Sequence, residues 1–134
     1  MAKRNLTLEH QPETEFLLAG IVSAENDYKV CWALNQILTV SLGQVEPLLI
    51  NSRGKETEFP LFYYQDSLRV DYYLIPNKSG AVYLLDELKN IDYLLKISDV
   101  TAIEVIEKLK NARLFTAVSQ IKYQQLKMKA KLFF

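Results

Sequence analysis

Two aromatic runs, Phe59-Pro60-Leu61-Phe62-Tyr63-Tyr64 and Val70-Asp71-Tyr72-Tyr73-Leu74-Ile75, stand on either side of Gln65-Asp66-Ser67. Aromatic and β-branched residues fit a pleated, half-buried surface, and two such runs joined by a short polar bridge read as a β-hairpin. Pro60 has no N–H to give a ladder, so it is expected at the start of an edge strand. Successive side chains on a strand point to opposite faces. Some of Tyr63, Tyr64, Tyr72 and Tyr73 must therefore leave the core, where they could line a ligand groove or a partner interface.

The rest of the chain has to cover that hairpin. Residues 16–22 are an apolar run that suits a first strand or a buried lead-in to the helix that follows. Ser23 can cap that helix, which should run to about Val40 with Tyr28, Cys31, Trp32, Leu34, Asn35 and Leu38 spaced along a packed face and Gly43 placed to stop it. Leu48-Leu49-Ile50 is a short apolar patch before the polar loop 51–55, and Asn77-Lys78-Ser79-Gly80 is a turn. Thr101-Ala102-Ile103-Glu104 has the capping-box spacing, and opens a second helix ending near Asn111 or Arg113, with Ala102, Ile103, Val105, Ile106 and Leu109 on adjoining apolar stripes. Residues 114–121 read as a strand. From Lys127 to Leu132 lysines alternate with apolar residues, as on a strand with one wet face at a protected sheet edge.

Between the hairpin and the second helix lies Leu85-Asp86-Glu87-Leu88-Lys89-Asn90-Ile91-Asp92-Tyr93. Asp86 can cap a single helical turn, and Glu87 suits the positive end of that turn. Residues 91–97 then read as a buried strand with Ile91, Tyr93, Leu95 and Ile97 on one face and Asp92, Leu94 and Lys96 on the other, so that Asp92 could pair with Lys96. This stretch resembles the IPExxxVDY family of small bacterial proteins. Glu87, Asp92 and Tyr93 match the motif, Leu85 and Ile91 are conservative departures, and Asp86 stands where the motif has proline. The 27–35 helix, the 72–75 strand with Asn77-Lys78, and the lysine-rich end closing in Leu132-Phe133-Phe134 are similar to family members as well, so the resemblance covers most of the chain. It implies kinship and no established activity.

Composition narrows the function classes. At 134 residues with 49% hydrophobic and 24% charged, the chain is an ordinary globular length and mix. Sixteen basic and sixteen acidic residues cancel, which gives no overall pull toward nucleic acid or membrane. The run 16–22 is too short for a signal peptide or a span, and a lone cysteine fits a reducing compartment, so the expected location is the cytoplasm. One cysteine and one histidine make no zinc set, and leave a Cys31–His10 dyad as only a formal possibility. The four glycines are scattered and form no phosphate-cradling loop. Asp86, Glu87, Asp92 and Asp99 could hold Mg²⁺ or act as an acid–base pair if they converge, although each already has a structural use as a cap, a first-turn charge or a strand residue. After Glu107 no acidic residue appears, while Lys108, Lys110, Arg113, Lys122, Lys127, Lys129 and Lys131 do, and with Tyr123 these could form a weak nucleic-acid surface or a solvated face.

The expected architecture is a polar arm over residues 1–15 followed by one α+β domain over 16–134, an antiparallel sheet of four to five strands with two main helices packed on it. The expected function is a non-enzymatic binding or protein-interaction module without metal or cofactor, acting on a protein partner or as a homodimer, with Glu87, Asp92, Tyr93, Tyr28 and Trp32 as its candidate site. A small enzyme using the carboxylates and a nucleic-acid binder using the basic end are the alternatives.

Overall fold

The computed structural model describes residues 15–134, so the arm expected over residues 1–15 lies, apart from Glu15, outside the described residues. In chain order the elements are β1 (Leu17–Val22), α1 (Asp27–Leu38), β2 (Gly43–Ser52), β3 (Lys55–Gln65), β4 (Asp71–Pro76), β5 (Lys78–Ser79), β6 (Val82–Tyr83), β7 (Tyr93–Ile97), α2 (Glu104–Lys110) and β8 (Ala117–Gln120). Three 3-10 turns, Asp86–Leu88, Tyr123–Gln125 and Lys129–Leu132, complete it. This is the expected α+β class with two helices. The main sheet has six strands rather than four or five, in the order β2-β3-β4-β7-β1-β8 with every pairing antiparallel, and β5–β6 form a separate two-stranded ribbon.

The aromatic hairpin is β3–β4, in register Phe62↔Leu74, Tyr63↔Tyr73, Tyr64↔Tyr72 and Gln65↔Asp71. Its turn is held by Asp66, whose carboxylate accepts the N–H of Leu68 and of Val70. The edge expected for Pro60 is not there, because β2 covers β3. The register slips between Val45 and Leu48, so Pro60 lies opposite the bulge made by Glu46 and Pro47 and is asked for no N–H. That bulge hid the sixth strand. A run interrupted by Glu46-Pro47 shows only its Leu48-Leu49-Ile50 half as apolar, yet the backbone of both halves pairs with β3. Between β2 and β3 the chain reverses in two residues, Arg53 at φ 55 and Gly54 at φ 77, the backbone hand that matches the twist of the flanking strands.

The inner strands of the sheet are buried on both faces, while the edge strands β2 and β8 are largely exposed. On one face α1 and α2 pack Val30, Leu34, Val105, Ile106 and Leu109 against Leu17, Ala19, Ile21, Phe62, Leu74, Tyr93, Leu95 and Ile97. On the other, Leu18, Phe59, Ile75 and Leu94 are covered by Leu84, Leu85 and Ile91, and by Tyr123 and Leu132 of the closing segment. Two-sided burial explains why residues 16–22 and 93–97 read as continuous apolar runs instead of alternating ones. This covering layer lies close over Gly20 in β1: a Cβ there would come within 2.6 Å of Ile121 Cδ1 and 3.0 Å of Ile91 Cδ1, so the ends of those side chains would have to move.

Several sequence expectations are corrected at the element ends. The N-cap of α1 is Asn26, whose side chain accepts from Lys29 N, and not Ser23; the helix stops at Thr39 in the left-handed region (φ 55), with Gly43 already in β2. Asn35 secures that exit, its Oδ1 accepting Leu42 N at 2.8 Å and its Nδ2 donating to Leu42 O at 3.1 Å. The Asp86–Leu88 turn forms as expected, but Asp86 lies inside it and caps nothing. No side chain caps α2: Thr101 instead donates its hydroxyl and N–H to Asp99 Oδ1, and Ile103 stays exposed. The alternating lysine segment is not a strand. Its backbone closes into 3-10 turns because its apolar residues anchor on a sheet face rather than along an edge, with Tyr123 stacked on Phe16 at 4.0 Å.

Candidate functional site

The stretch around Glu87, Asp92 and Tyr93 is built on a buried asparagine. Asn77 is fully enclosed at the end of β4. Its Oδ1 accepts Leu85 N at 2.8 Å, while its Nδ2 donates to Leu88 O at 2.8 Å and Ile91 O at 3.1 Å, with Leu85 O farther at 3.4 Å. Its backbone N–H donates to Asp92 O and its carbonyl accepts from Leu84 N. One side chain thus ties the loop 84–92 to the sheet, and every polar atom it holds is satisfied. In the sequence Asn77 reads as a turn residue; nothing in its local context signals a hub whose partners lie 8 to 14 positions away.

From that anchored loop the three motif residues reach outward to three other segments. The Glu87 carboxylate accepts Lys127 N at 2.7 Å and Met128 N at 3.3 Å, which fixes the start of the closing segment. Asp92 accepts Ser23 N at 2.9 Å through Oδ2, and its own N–H donates to Ile21 O. Tyr93 donates its hydroxyl to Glu25 O at 2.6 Å, and burial beside Asp27 and Asp92 pushes that phenol up to about 12. Asp92 and Tyr93 therefore set the β1–α1 connection, which aims α1. The pairing of Asp92 with Lys96 does not occur. Lys96 points to the opposite layer, where its Nζ donates to Leu132 O at 2.7 Å and lies 4.2, 4.8 and 5.2 Å from the ring centroids of Phe134, Phe16 and Tyr73.

The other two candidate residues are elsewhere. Tyr28 and Trp32 sit one turn apart on the outer side of α1, 62% and 60% exposed, where the sequence placed them on a packed face. The buried stripe is Val30, Cys31, Ala33 and Leu34, so Cys31 and Leu34 lie inward as expected while Val30 and Ala33 take the inward places given to Tyr28 and Trp32. Tyr28 leans on the edge of the sheet, with its hydroxyl donating to Gln44 Oε1 at 2.9 Å and its ring edge-on to Phe62. Together with Asn26 and Lys29 the two rings line an open cleft of about 430 Å³.

The catalytic alternatives fare differently. Glu87, Asp92 and Asp99 each hold a different backbone segment through one carboxylate oxygen, and among the described residues no group of three or more His, Cys, Asp or Glu gathers where a metal ion could be held. Asp99 is held below the usual carboxylate range by the Thr101 hydroxyl and N–H, as a turn residue is. His10 lies outside the described residues, and burial beside Asp27 raises the Cys31 thiol, the opposite of what a nucleophile needs. The tyrosines of the hairpin divide between the faces as strand geometry requires. Tyr64 and Tyr72 lie on the helix side, whereas Tyr63 and Tyr73 lie on the other, with the Tyr63 hydroxyl donating to Asp71 at 2.6 Å. No helix among the described residues is long and apolar enough to cross a membrane. Comparison with protein-family models, with curated proteins and with solved structures finds no match to this chain.

Proposed function

We propose that this chain is a non-enzymatic binding module that docks a protein partner on the outer face of α1 through Tyr28 and Trp32. The observation that carries the reading is the exposure of both rings, 62% and 60%, side by side on a helix that has ample buried surface elsewhere. Tryptophan and tyrosine dominate the energetics of protein interfaces because one rigid ring removes a large apolar area from water at small entropic cost. Lys29 lines the same cleft, and the salt bridge seen among the described residues, Lys110–Glu107, does not involve it. The fitting partner surface carries an apolar side chain for the space between the rings and a carboxylate for Lys29. In this reading Glu87, Asp92 and Tyr93 orient α1 and the covering segment without touching the partner. Kinship with the IPExxxVDY family and a cytoplasmic location belong to the same proposal.

Trp32 is the chain's one tryptophan, so its fluorescence reports this surface directly. Affinity capture with the wild type should retain a partner that Trp32→Ala loses, and adding the purified partner should shift the emission to the blue. Because the side chain is mostly in water, Trp32→Ala should change stability by no more than about 0.5 kcal/mol. Glu87→Gln with Asp92→Asn should lower the melting temperature yet keep the partner. Full retention by Trp32→Ala would reject the assignment of this face. A blue shift on concentrating the chain alone would make the partner a second copy.

A further inference from the structure

A second concave site, sharing no lining residue with the first, lies at the β2–β3 turn. It encloses about 430 Å³ between that turn, the β5–β6 ribbon and the closing segment, a volume typical of small-molecule sites. Three cations line it, Arg53, Lys55 and Lys131, against one carboxylate, Asp86. Thr57 adds a hydroxyl and Tyr83 a ring. Two further lysines approach that ring, Lys78 with its Nζ 5.3 Å and Lys89 with its Nζ 5.7 Å from the centroid. Positive charge therefore gathers around one cleft of a chain whose formal net charge is zero.

The cations have little to do within the fold. Among the described residues Arg53 and Lys55 form no salt bridge and their side chains donate to nothing, while Lys131 uses one of its three N–H groups on Leu84 O at 3.0 Å. Arg53 also occupies a left-handed turn position (φ 55), where asparagine or glycine would sit at less cost. Like charges gathered in a recess repel one another, and an anion entering it relieves that repulsion while taking up their unused donors. The guanidinium presents a planar fork that matches two phosphate oxygens at once, and a lysine ammonium adds a point charge. Asp86 has the wrong sign for an anion and the right chemistry for a hydroxyl donor.

We infer that this cleft binds a small phosphate monoester carrying hydroxyl groups, with the phosphate on Arg53, Lys55 and Lys131 and a hydroxyl donating to Asp86. The site is independent of the Tyr28–Trp32 face. The modest volume of the recess and its single acidic residue favour a compact phosphorylated polyol over an extended polymer.

Ribose 5-phosphate and inorganic phosphate serve as probes, followed by amide chemical shifts of the full chain. Ribose 5-phosphate should give saturable shifts confined to residues 52–57, 81–86 and 128–131. Arg53→Gln with Lys55→Gln, both on an exposed turn, should weaken it at least tenfold while leaving the remaining spectrum unchanged. Asp86→Asn separates the two halves of the ligand: it should tighten inorganic phosphate, by removing a repulsion, and weaken ribose 5-phosphate. Equal affinity in the wild type and the double variant would overturn the assignment, as would shifts spread outside the cleft. Parallel tightening of both probes by Asp86→Asn would overturn the hydroxyl contact. A single-stranded oligonucleotide that binds more tightly than ribose 5-phosphate, with affinity falling steeply in salt, would replace the small ligand with a nucleic acid.

Discussion

Asn77→Ala is expected to reduce the free energy of unfolding by about 3–5 kcal/mol, far beyond an average substitution. The side chain is wholly enclosed, and alanine would leave Leu85 N–H and Ile91 O facing a dry hole, while Leu88 O would keep only the N–H of Ile91. A buried polar group left unpaired costs about 1–3 kcal/mol, and two are stranded together beside the space the amide leaves, with partial relaxation of the loop offsetting some of the sum. Asn77→Asp tests the same geometry by sign. Aspartate keeps the acceptor for Leu85 N but turns a negative oxygen on Leu88 O and Ile91 O, so the native state holds that carboxyl protonated more readily than the unfolded state does. Its folded pKa is raised, so stability is restored as pH falls toward the carboxylate range and is lost as pH rises through the folded pKa. Urea unfolding followed by far-UV circular dichroism at pH 7 and pH 4.5 measures both effects. A loss below about 1 kcal/mol for Asn77→Ala would show that the loop 84–92 holds itself in place.

That hub marks the boundary of what was legible in the sequence. Period and residue type place the β3–β4 hairpin, β7 and both helices, because those features depend on neighbours a few positions away. The faces of β7 were readable for the same reason, with Tyr93, Leu95 and Ile97 toward the helices and Leu94 and Lys96 away; Ile91, expected beside Tyr93, precedes the strand and packs in the opposite layer, because the loop 84–92 folds over that face. What escaped depends on contacts distant in sequence. The partner of Asp92 is Ser23, 69 positions away, and that of Glu87 is Lys127, 40 positions away; neither separation leaves a local pattern. Lysine alternation at 127–132 has the period of a strand, but Tyr123, Leu132 and Phe134 fix the segment to a face where it must turn. The candidate residues divide accordingly. Glu87, Asp92 and Tyr93 were visible as a motif and prove to be connectors. Tyr28 and Trp32 were visible as apolar helix positions, and only packing reveals that the helix has turned them outward.

A second large effect is expected at Lys96, where the closing segment meets the sheet. Lys96→Ala would leave Leu132 O without its donor and empty the space between Phe16, Tyr73 and Phe134, for a loss of about 3 kcal/mol that falls first on the segment 121–134. Amide exchange should accelerate there before it does in β1 or β7. The charge itself gives a pH signature. Burial pushes the ammonium down to about 8 from its ordinary 10.5, while Asp71, the three ring faces and the Leu132 carbonyl favour the charged form and oppose that drop. A lysine depressed in the native state is deprotonated there at a pH where the unfolded chain still holds its proton, so stability rises with pH from about 8 to 10, by about 1–2 kcal/mol once the opposing contacts are counted. Tyr93, pushed up to about 12, and Tyr72 and Tyr73, raised by burial, act in the opposite sense: above about 10 the unfolded tyrosines ionise first and stability falls. The wild type should therefore show a stability maximum near pH 10. Lys96→Met, which fills the space without a charge, should keep the falling limb and lose the rising one. A wild-type curve flat between pH 8 and 10 would mean that the rings and carbonyl cancel the burial completely, and that the ammonium is as comfortable among three aromatic faces as it is in water.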